Sequence, residues 1–379
     1  MQIDKLLLQN FRNYEREEFS FHPLCNVIYG ENAQGKTNLL EAVSFLSCGR
    51  SPRARSEKEL LRFESDVAQV TGTMLSRDRD FRVDIEFGRA KRRKILINQV
   101  PVKKASELSS VLSTVYFCPD DLMLIREGAA ARRRFLDEAL RQLLPRYEEA
   151  LMEYNRLYEH KTRILRDSEE KPDLLQTLPE FNEGMARAGA LIIHYRARYC
   201  ESLAKYAAEV HRECSGGKEA LSIRYETVSS VTDPFVSPQE IYLRLREHQQ
   251  SHERAELASR LCLSGPHKDD LIIEINGCLA KSYGSQGQTR TAALALKLAE
   301  REIMGETIGE MPVLLLDDVL SELDPKRQEF VLSRIGGGQV FITCCEDDRL
   351  GTMLTGKVFY IEDGCCKGGE SCISISDKA

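Results

Sequence analysis

The chain of 379 residues lacks any long apolar run. No stretch of about 18 apolar residues occurs, and no basic segment followed by an apolar one stands near residue 1. The first absence excludes a membrane-spanning helix, and the second argues against a secretion signal. We therefore expect a soluble, cytoplasmic protein without a membrane partner.

Zinc-binding spacings are also missing. The sequence has 12 cysteines, but none stands in a CxxC or Cys/His pattern, and Cys344-Cys345 and Cys365-Cys366 are adjacent pairs. We expect reduced and mostly buried thiols, as is usual inside cells.

The chain has no excess of positive charge, since its formal net charge is -6. Binding to DNA depends on Lys and Arg side chains that displace counterions, so a DNA site would have to be a local patch. Each basic cluster is interpreted either as a solvated face or as a phosphate contact. The clusters are Arg50, Arg53, Arg55 and Lys58, residues 89–94, Lys103-Lys104 and residues 132–134.

The periodicity of apolar residues changes along the chain. Residues 66–98 alternate as in an antiparallel sheet, and residues 129–214 have helical spacing. Residues 271–275 are predicted to form a strand that ends at the hairpin turn Asn276-Gly277, and residues 288–343 alternate helices and strands as in a parallel α/β sheet. The predicted organisation is an N-terminal part (1–128), an inserted helical lobe (129–256), a C-terminal part of the first domain (257–363) and a flexible tail (364–379). No internal repeat occurs.

A phosphate-binding motif follows the apolar run that ends at Tyr29. The motif G-x-x-x-x-G-K-[ST] needs glycines so that backbone N–H groups can wrap phosphates, while its Lys reaches the outer phosphates. We predict an ATP site formed by Gly30, Glu31, Asn32, Ala33, Gln34, Gly35, Lys36, Thr37 and Asn38.

A second motif is the apolar run from Val313 that ends in two carboxylates. Asp317, together with the Thr37 hydroxyl, is predicted to hold Mg²⁺, and Asp318 is predicted to orient the attacking water. Lys36, Asp317 and Asp318 are thus the candidate catalytic residues. A strand-end acid pair can also cap a helix, which is the alternative interpretation.

Ser285-Gln286-Gly287-Gln288 resembles the ABC signature, although a helix-capping turn has the same composition. Ser321 and Asp324, which follow the acid pair, resemble the D-loop. The order of these motifs is similar to that of an ABC ATPase head. In that family the signature contacts ATP held by the opposite subunit, so the resemblance implies in-trans contacts from Ser285, Gly287 and Gln288 and an ATP-dependent homodimer.

Further motifs resemble the RecF family: LQNFRNY (8–14), NAQGKTNLLEA (32–42), FCPDDL (117–122), RRRFLD (132–137), GPHKDD (265–270) and SQGQTR (285–290). The resemblance implies an α/β ABC-type head, with a parallel sheet and an antiparallel β subdomain, and an inserted α-helical lobe. It also implies binding of gapped or single-strand/duplex junction DNA, slow DNA-stimulated ATP hydrolysis, and assistance to RecA loading with RecR and RecO.

Three questions stay open at this level. Many ABC ATPases have Glu where this chain has Asp318, and the shorter carboxylate predicts slow turnover. His267 is expected to be structural or near the nucleotide rather than a general base. A transporter ATPase subunit or a scaffold with structural ATP are the alternative functions, but a transporter subunit would have its signature much closer to the phosphate loop.

Overall fold

A computed structural model of the chain describes residues 1–345, 355–368 and 372–373. The chain divides into two compact units, Met1–Leu122 with Glu300–Ala379, and Met123–Ala299. Residues 257–299 therefore group with the helical residues, and the predicted domain boundaries at 128, 256 and 363 stay a prediction. No helix among the described residues is long and apolar enough to cross a membrane.

The first unit contains an antiparallel sheet of six strands. Its strands are β1 (Gln2–Phe11), β2 (Tyr14–Ser20), β4 (Val67–Ser76), β5 (Arg79–Gly88), β6 (Lys94–Ile97) and β7 (Val100–Pro101), in the order β2-β1-β4-β5-β6-β7. The alternating pattern over residues 66–98 is confirmed. Arg77 and Asp78 form the β4–β5 turn, and both have a positive φ.

The second sheet of this unit has a parallel centre. Its strands are β3 (Cys25–Tyr29), β8 (Thr114–Phe117), β12 (Val313–Asp317), β13 (Val340–Cys344), β14 (Gly356–Glu362), β15 (Cys365–Gly368) and β16 (Cys372–Ile373). The order is β15-β14-β3-β13-β12-β8, with β16 paired to β14. Strands β14, β3, β13, β12 and β8 are parallel. All five residues of β12 are buried, as expected for a strand inside a parallel sheet.

The first helix, α1 (Lys36–Cys48), is buried along most of its length. Phe45 lies 6.3 Å from Phe11 and 5.3 Å from Phe87 between ring centroids, which ties α1 to the antiparallel sheet. Ile28, Val313 and Phe341 of the parallel sheet belong to the same hydrophobic core. Helix α1 therefore shares one hydrophobic core with both sheets. Helix α8 (Pro325–Arg334) completes the regular elements of this part of the unit.

The prediction of a flexible tail from residue 364 is wrong for its first residues. Strand β15 pairs antiparallel with β14, where Ile361 lies opposite Cys366. The N–H of Cys366 donates to Glu17 Oε1 at 3.1 Å. The open edge of β14 offers hydrogen-bond partners that the local sequence does not reveal. Residues 369–371 and 374–379 lie outside the described residues.

The second unit is mainly helical. Its helices are α2 (Ala129–Leu143), α3 (Pro145–Asp167), α4 (Leu178–Cys214), α5 (Pro238–Ser259), α6 (Ala280–Tyr283) and the first part of α7 (Gln286–Ile308). A three-stranded sheet, in the order β11-β10-β9, consists of β9 (Leu221–Glu226), β10 (Asp270–Ile275) and β11 (Cys278–Leu279). The helical spacing predicted over residues 129–214 is interrupted once between α3 and α4, where a 3₁₀ turn covers Pro172–Thr177.

Charged side chains are buried inside this helical unit. Lys161 Nζ lies 2.6 Å from Glu256 Oε2, and Arg196 forms ion pairs with Asp137 and Asp269 at 2.8 and 2.7 Å. Buried charges are tolerated only when they are paired and hydrogen-bonded. The two pairs of Arg196 join α4 to α2 and to the turn at Asp269, and the pair of Lys161 with Glu256 joins α3 to α5.

Free cysteines are less buried than predicted. Cys25, Cys200 and Cys262 are buried, whereas Cys278, Cys345 and Cys365 are exposed and the remaining described thiols are half-buried. Several of the accessible ones lie in hairpins and at strand ends, where neighbouring chain cannot cover them. The expectation of free thiols agrees with the structure, and the expectation that most are buried is wrong.

Candidate nucleotide-binding site

The phosphate-loop motif forms the turn between β3 and α1. Gly30 and Gly35 have φ values of 150° and 119°, in a region that side chains rarely adopt. A Cβ on Gly30 would lie 2.3 Å from the carbonyl oxygen of Ile361, and one on Gly35 would lie 2.6 Å from Asn13 Nδ2. Both glycines are therefore required by the backbone path and by close neighbours.

Lys36, the first residue of α1, points back into the loop. Its Nζ donates to the carbonyl oxygens of Gly30 at 2.6 Å and Glu31 at 2.8 Å, and the residue is only 7% exposed. An ammonium held at the N-terminus of a helix, beside free backbone N–H groups, favours a bound anion. The geometry is that of a phosphate cradle.

A clasp of side chains holds the outer side of the loop. Asn13 Nδ2 donates to the carbonyl oxygen of Gln34 at 2.8 Å, and Asn38 Nδ2 donates to Asn13 Oδ1 at 2.9 Å. The N–H of Gly364, in the β14–β15 turn, also donates to the Gln34 carbonyl at 3.0 Å. Asn13 entered the sequence analysis only through a family motif, and no local signal indicated Gly364.

Asp317 ends β12 directly beside the start of α1. Thr37 Oγ1 and Thr343 Oγ1 each donate to Asp317 Oδ1 at 2.9 Å. The hydroxyl of Tyr116 donates to Asp317 Oδ2 at 2.5 Å. The predicted pair of Thr37 and Asp317 is thus brought together, and the sequence analysis missed Tyr116 and identified Thr343 only as the end of a strand.

Asp318 has a positive φ of 55°, which is rare for a residue other than glycine. Its N–H donates to Thr343 Oγ1 at 2.8 Å. Ser321 Oγ contacts both the carbonyl oxygen of Asp318 at 2.7 Å and Asp318 Oδ1 at 3.1 Å. The second carboxylate is therefore turned away from the strand direction and held by a residue of the predicted D-loop.

Asp324 has a local structural role that the sequence analysis did not assign. Its side chain accepts the N–H of Arg327 at 3.2 Å and so caps α8. An Asp at this position satisfies a backbone donor that a helix otherwise leaves free. This cap fixes the end of the segment from Ser321 to Asp324.

The signature segment lies in the other unit and caps α7. The N–H of Gln288 donates to Ser285 Oγ at 3.2 Å, and the N–H of Ser285 donates to Gln288 Oε1 at 2.9 Å. This reciprocal pair is a capping box. Ser285 itself is exposed, so its hydroxyl lies at the protein surface. The in-trans contacts of Ser285, Gly287 and Gln288 stay a prediction.

An open groove of about 640 Å³ adjoins the clasp. Phe63 in its wall is 84% exposed, an unusual state for a large aromatic side chain. Arg12 donates through Nε and Nη2 to both oxygens of Glu41, at 2.8 and 2.7 Å, and Glu41 is fully buried. The lining residues are Arg12, Asn13, Asn38, Leu61, Arg62, Phe63 and Glu64.

Cys345 lies over the phosphate cradle at the end of β13. Its Sγ is 3.1 Å from Asn32 Oδ1 and 4.0 Å from Lys36 Nζ. The structure therefore places an exposed thiol next to two residues of the predicted ATP site.

His267 has a structural role. Its Nδ1 lies 2.6 Å from the hydroxyl of Tyr154, and its Nε2 lies 2.9 Å from the carbonyl oxygen of Cys262. Burial lowers the pKa of His267 to about 4, so the ring is neutral at pH 7. Both ring nitrogens contact protein groups in the helical unit, which argues against a general base.

The side chains of the predicted basic clusters differ in solvent exposure and in ion pairing. Arg132 is 4% exposed and forms a double hydrogen bond with Asp270 at 2.6 and 2.9 Å, so it is a buried structural residue. Arg93 is held by Glu57 at 2.6 Å. Arg55 and Lys58 are exposed. The cluster at residues 132–134 is therefore corrected: its first arginine cannot contact DNA.

Comparison with known proteins agrees with this geometry. A family model described as RecF/RecN/SMC N terminal domain matches residues 2–365. The "DNA replication and repair protein RecF" of Agathobacter rectalis is 38% identical over 368 residues, covering 96% of this chain and 98% of that protein. The protein of the same name from Bacillus subtilis is 36% identical over 374 residues, covering 96% and 99%.

Solved structures of other proteins are also similar to this chain. A structure of the recombination mediator protein RecF-ATPrS in the RecFOR pathway matches with a TM-score of 0.89 and 34% identity, over 96% of this chain and 97% of that one. A Smc head domain from Pyrococcus furiosus, at a TM-score of 0.56 and 17% identity over 98% and 96%, shares the fold. The predicted α/β ABC-type head fold is thus confirmed, and the chain belongs to the RecF family.

Proposed function

We propose that the protein is an ATP-dependent DNA-binding clamp of recombinational DNA repair and replication-fork maintenance. The observation that carries the proposal is the contact of Thr37 with Asp317 beside the Lys36 ammonium. Relatives at 36–38% identity are called DNA replication and repair proteins, and two solved RecF structures are described with ATP or ATPrS. These comparisons support ATP as the ligand.

ATP is proposed to bind along the loop from Gly30 to Asn38. The backbone N–H groups and Lys36 would hold the phosphates, and the groove beside Asn13 would take the base. Phe63 offers the base an exposed aromatic face for stacking. The phosphate cradle would thus bind the phosphates, and the adjoining groove would bind the base.

Mg²⁺ is proposed to bind between Thr37 and Asp317. The donor set, a hydroxyl and a carboxylate, consists of the hard oxygen ligands that Mg²⁺ prefers together with phosphates. Bound there, the ion would neutralise charge on the phosphates during their transfer to water. Thr343 and Tyr116 keep the Asp317 carboxylate oriented.

Hydrolysis is proposed to be slow and stimulated by DNA. Asp318 would orient the attacking water, but its side chain is one methylene shorter than Glu. Ser321 also contacts its Oδ1 at 3.1 Å, a contact that competes with water. ATP binding rather than turnover would then be the working signal of the clamp.

Dimerisation would complete the site. We propose that Ser285, Gly287 and Gln288 contact ATP held by a second copy, with Ser321 and Asp324 at the same interface. The exposed position of Ser285 at the start of α7 supports this, since helix N-termini bind phosphate groups. The head would comprise residues 1–128 and 257–363, with residues 129–256 as the helical lobe.

The proposed DNA ligand is gapped DNA or a single-strand/duplex junction, contacted through its backbone. RecR and RecO are proposed partners in loading RecA, and the RecFOR pathway named for the matching structures supports them. A cytoplasmic location follows from this role. The exposed side chains of Arg55 and Lys58 are the first candidates for phosphate contacts.

Sedimentation with phosphate release tests the proposal. Wild type, Lys36→Met, Asp318→Asn and Ser285→Arg would be compared with and without Mg-ATP and a gapped duplex. We expect wild type to dimerise with ATP on DNA, Asp318→Asn to stay dimeric, and the other two to stay monomeric. Ser282→Arg, an exposed serine three positions before Ser285, is the matched control and should dimerise.

One outcome of this experiment would contradict the clamp mechanism. If ATP leaves wild type and every variant in the same association state, with unchanged DNA binding, the clamp mechanism is wrong. A scaffold that ATP merely stabilises would then be the better description.

A further inference from the structure

Three hydroxyl groups surround the Asp317 carboxylate, and two of them, those of Tyr116 and Thr343, belong to no motif recognised in the sequence. Thr37 and Thr343 both donate to Oδ1, whereas Tyr116 donates to Oδ2. We infer that Tyr116 is a positioning residue that sets the orientation of Asp317 for the metal-bound nucleotide. This inference rests on the proposed function, because it concerns how well the site holds Mg²⁺ with ATP.

The parallel sheet explains how Tyr116 reaches Asp317. Strands β8 and β12 are neighbours, and Tyr116 lies opposite Leu315. Asp317 is two residues beyond Leu315, so it lies on the same face of the sheet as its diagonal neighbour. On the other side of β12, Thr343 lies directly opposite Asp317. The carboxylate is thus held from both neighbouring strands and from α1.

The proton of this hydrogen bond belongs to the phenol. An ionised carboxylate has only acceptor oxygens, so the Tyr116 hydroxyl is the donor in its contact with Asp317. It can therefore donate to Oδ2 and does not compete with Asp317 for a cation. Asp317 is 4% exposed, so water has little access to replace a lost donor.

The two carboxylate oxygens of Asp317 have different hydrogen-bond partners. Oδ1 is shared by two threonine hydroxyls, one of which, Thr37, is a proposed Mg²⁺ ligand. Within the described part of the chain, the hydroxyl that contacts Oδ2 is that of Tyr116. Without it the carboxylate would rotate about its Cβ–Cγ bond and lose its alignment with Thr37. Hydrogen bonds that orient groups at a metal site commonly affect metal affinity about 10- to 100-fold.

Tyr116→Phe removes only the hydroxyl and tests the inference directly. We expect the Mg²⁺ concentration for half-maximal ATP binding and hydrolysis to rise about 10-fold. ATP binding in EDTA should be unchanged, because Lys36 and the loop act without the metal. The matched control is Tyr360→Phe, which removes a hydroxyl from β14 of the same sheet, where the ring contacts Tyr29.

A second comparison separates positioning from general stabilisation. In an Asp317→Asn background, Tyr116→Phe should cause no further change in the Mg²⁺ midpoint, because it acts through the carboxylate. An equal change in both backgrounds would overturn the inference, as would a Tyr116→Phe protein with the Mg²⁺ midpoint of wild type. Loss of the folded state in Tyr116→Phe would make the hydroxyl a structural group and also reject the positioning role.

Failure of the proposed function would look different. Wild type itself would then show no Mg²⁺-dependent ATP binding and no phosphate release. A wild type that responds to Mg²⁺ beside a Tyr116→Phe variant that responds identically would reject only the role of Tyr116.

Discussion

Thr343 donates its hydroxyl proton to Asp317 at 2.9 Å and links the ends of two neighbouring parallel strands. The same oxygen accepts the N–H of Asp318 at 2.8 Å. One side chain of β13 therefore orients both members of the predicted catalytic acid pair. The threonine connects the proposed metal ligand to the residue proposed to orient water.

Replacing Thr343 tests this link. Thr343→Val keeps the shape and removes both hydrogen bonds, so we expect phosphate release to fall about 10-fold while ATP still binds. Thr343→Ser, which keeps the hydroxyl, should stay near wild type. Equal rates for the Val and Ser variants would show that the hydroxyl does not orient the acid pair.

Phe63 is expected to bind the base. Phe63→Ala should weaken ATP binding by about 1 to 2 kcal/mol, or roughly 5- to 30-fold, because stacking on an aromatic ring is lost. Binding of inorganic tripolyphosphate, which has no base, should not change. Leu24→Ala removes another exposed apolar side chain of the same unit and should leave ATP affinity unaltered. Equal losses for ATP and tripolyphosphate would place the base elsewhere.

Cys345 should report nucleotide occupancy. Because its Sγ lies 3.1 Å from Asn32 and 4.0 Å from Lys36, bound ATP is expected to shield it from iodoacetamide. Mass spectrometry of peptides after brief alkylation should show several-fold slower labelling of Cys345 with Mg-ATP. Exposed Cys278 is the internal control and should label at a constant rate. Unchanged labelling of Cys345 at saturating ATP would contradict binding in the cradle.

Glu41 should be important for stability as well as for the groove. Glu41→Gln removes one partner of its ion pair with Arg12, and breaking a buried pair costs about 3 kcal/mol or more, with less expected here because Arg12 is partly exposed. We expect a lower urea midpoint and a weaker affinity for ATP. Glu15→Gln, in an exposed ion pair with Arg62, should change the urea midpoint little. Similar urea midpoints for Glu41→Gln and Glu15→Gln would show that the ion pair of Glu41 with Arg12 does not stabilise the fold.

Acid should destabilise the helical unit through His267. Its pKa in the folded protein is about 4, below the ordinary value of 6.5, so the unfolded chain binds the proton first. The stability from this residue is complete above about pH 6.5 and is lost as the pH falls towards 4. Between pH 7 and pH 5 the loss should be on the order of 1 kcal/mol.

Urea unfolding at pH 7 and pH 5 measures whether acidification lowers the stability as predicted. His267→Gln should be less stable than wild type at pH 7 but should lose less stability on acidification. A His267→Gln protein with the full acid sensitivity of wild type would assign the effect to other groups.

Local features were predictable because their causes lie within short segments. The turn from Gly30 to Gly35, the 3₁₀ break at Pro172 and the β4–β5 hairpin depend on backbone preferences of a few neighbouring residues. The bounds of individual helices were not predictable in the same way, since the helical spacing over residues 129–214 does not show that α4 begins at Leu178. A preceding proline-containing turn and tertiary packing together decide where such a helix begins.

The tail was misjudged for a related reason. Nothing in Cys365-Cys366 or its neighbours indicates a strand, because the partner that stabilises it is the free edge of β14. Likewise, Arg132 was grouped with two further arginines as a basic cluster, yet Asp270, 138 residues away, neutralises it. Such pairings depend on contacts that no local pattern encodes.

The sequence by itself determined the phosphate loop, the acid pair, the alternation of strands and helices and the family resemblance, because each depends on residues close together along the chain. Only the tertiary structure decided what surrounds Asp317. Its partners Thr37, Tyr116 and Thr343 lie 280, 201 and 26 residues away. The order of parallel strands brings them together, and that order depends on burial of the whole core, a property of the entire fold rather than of any segment.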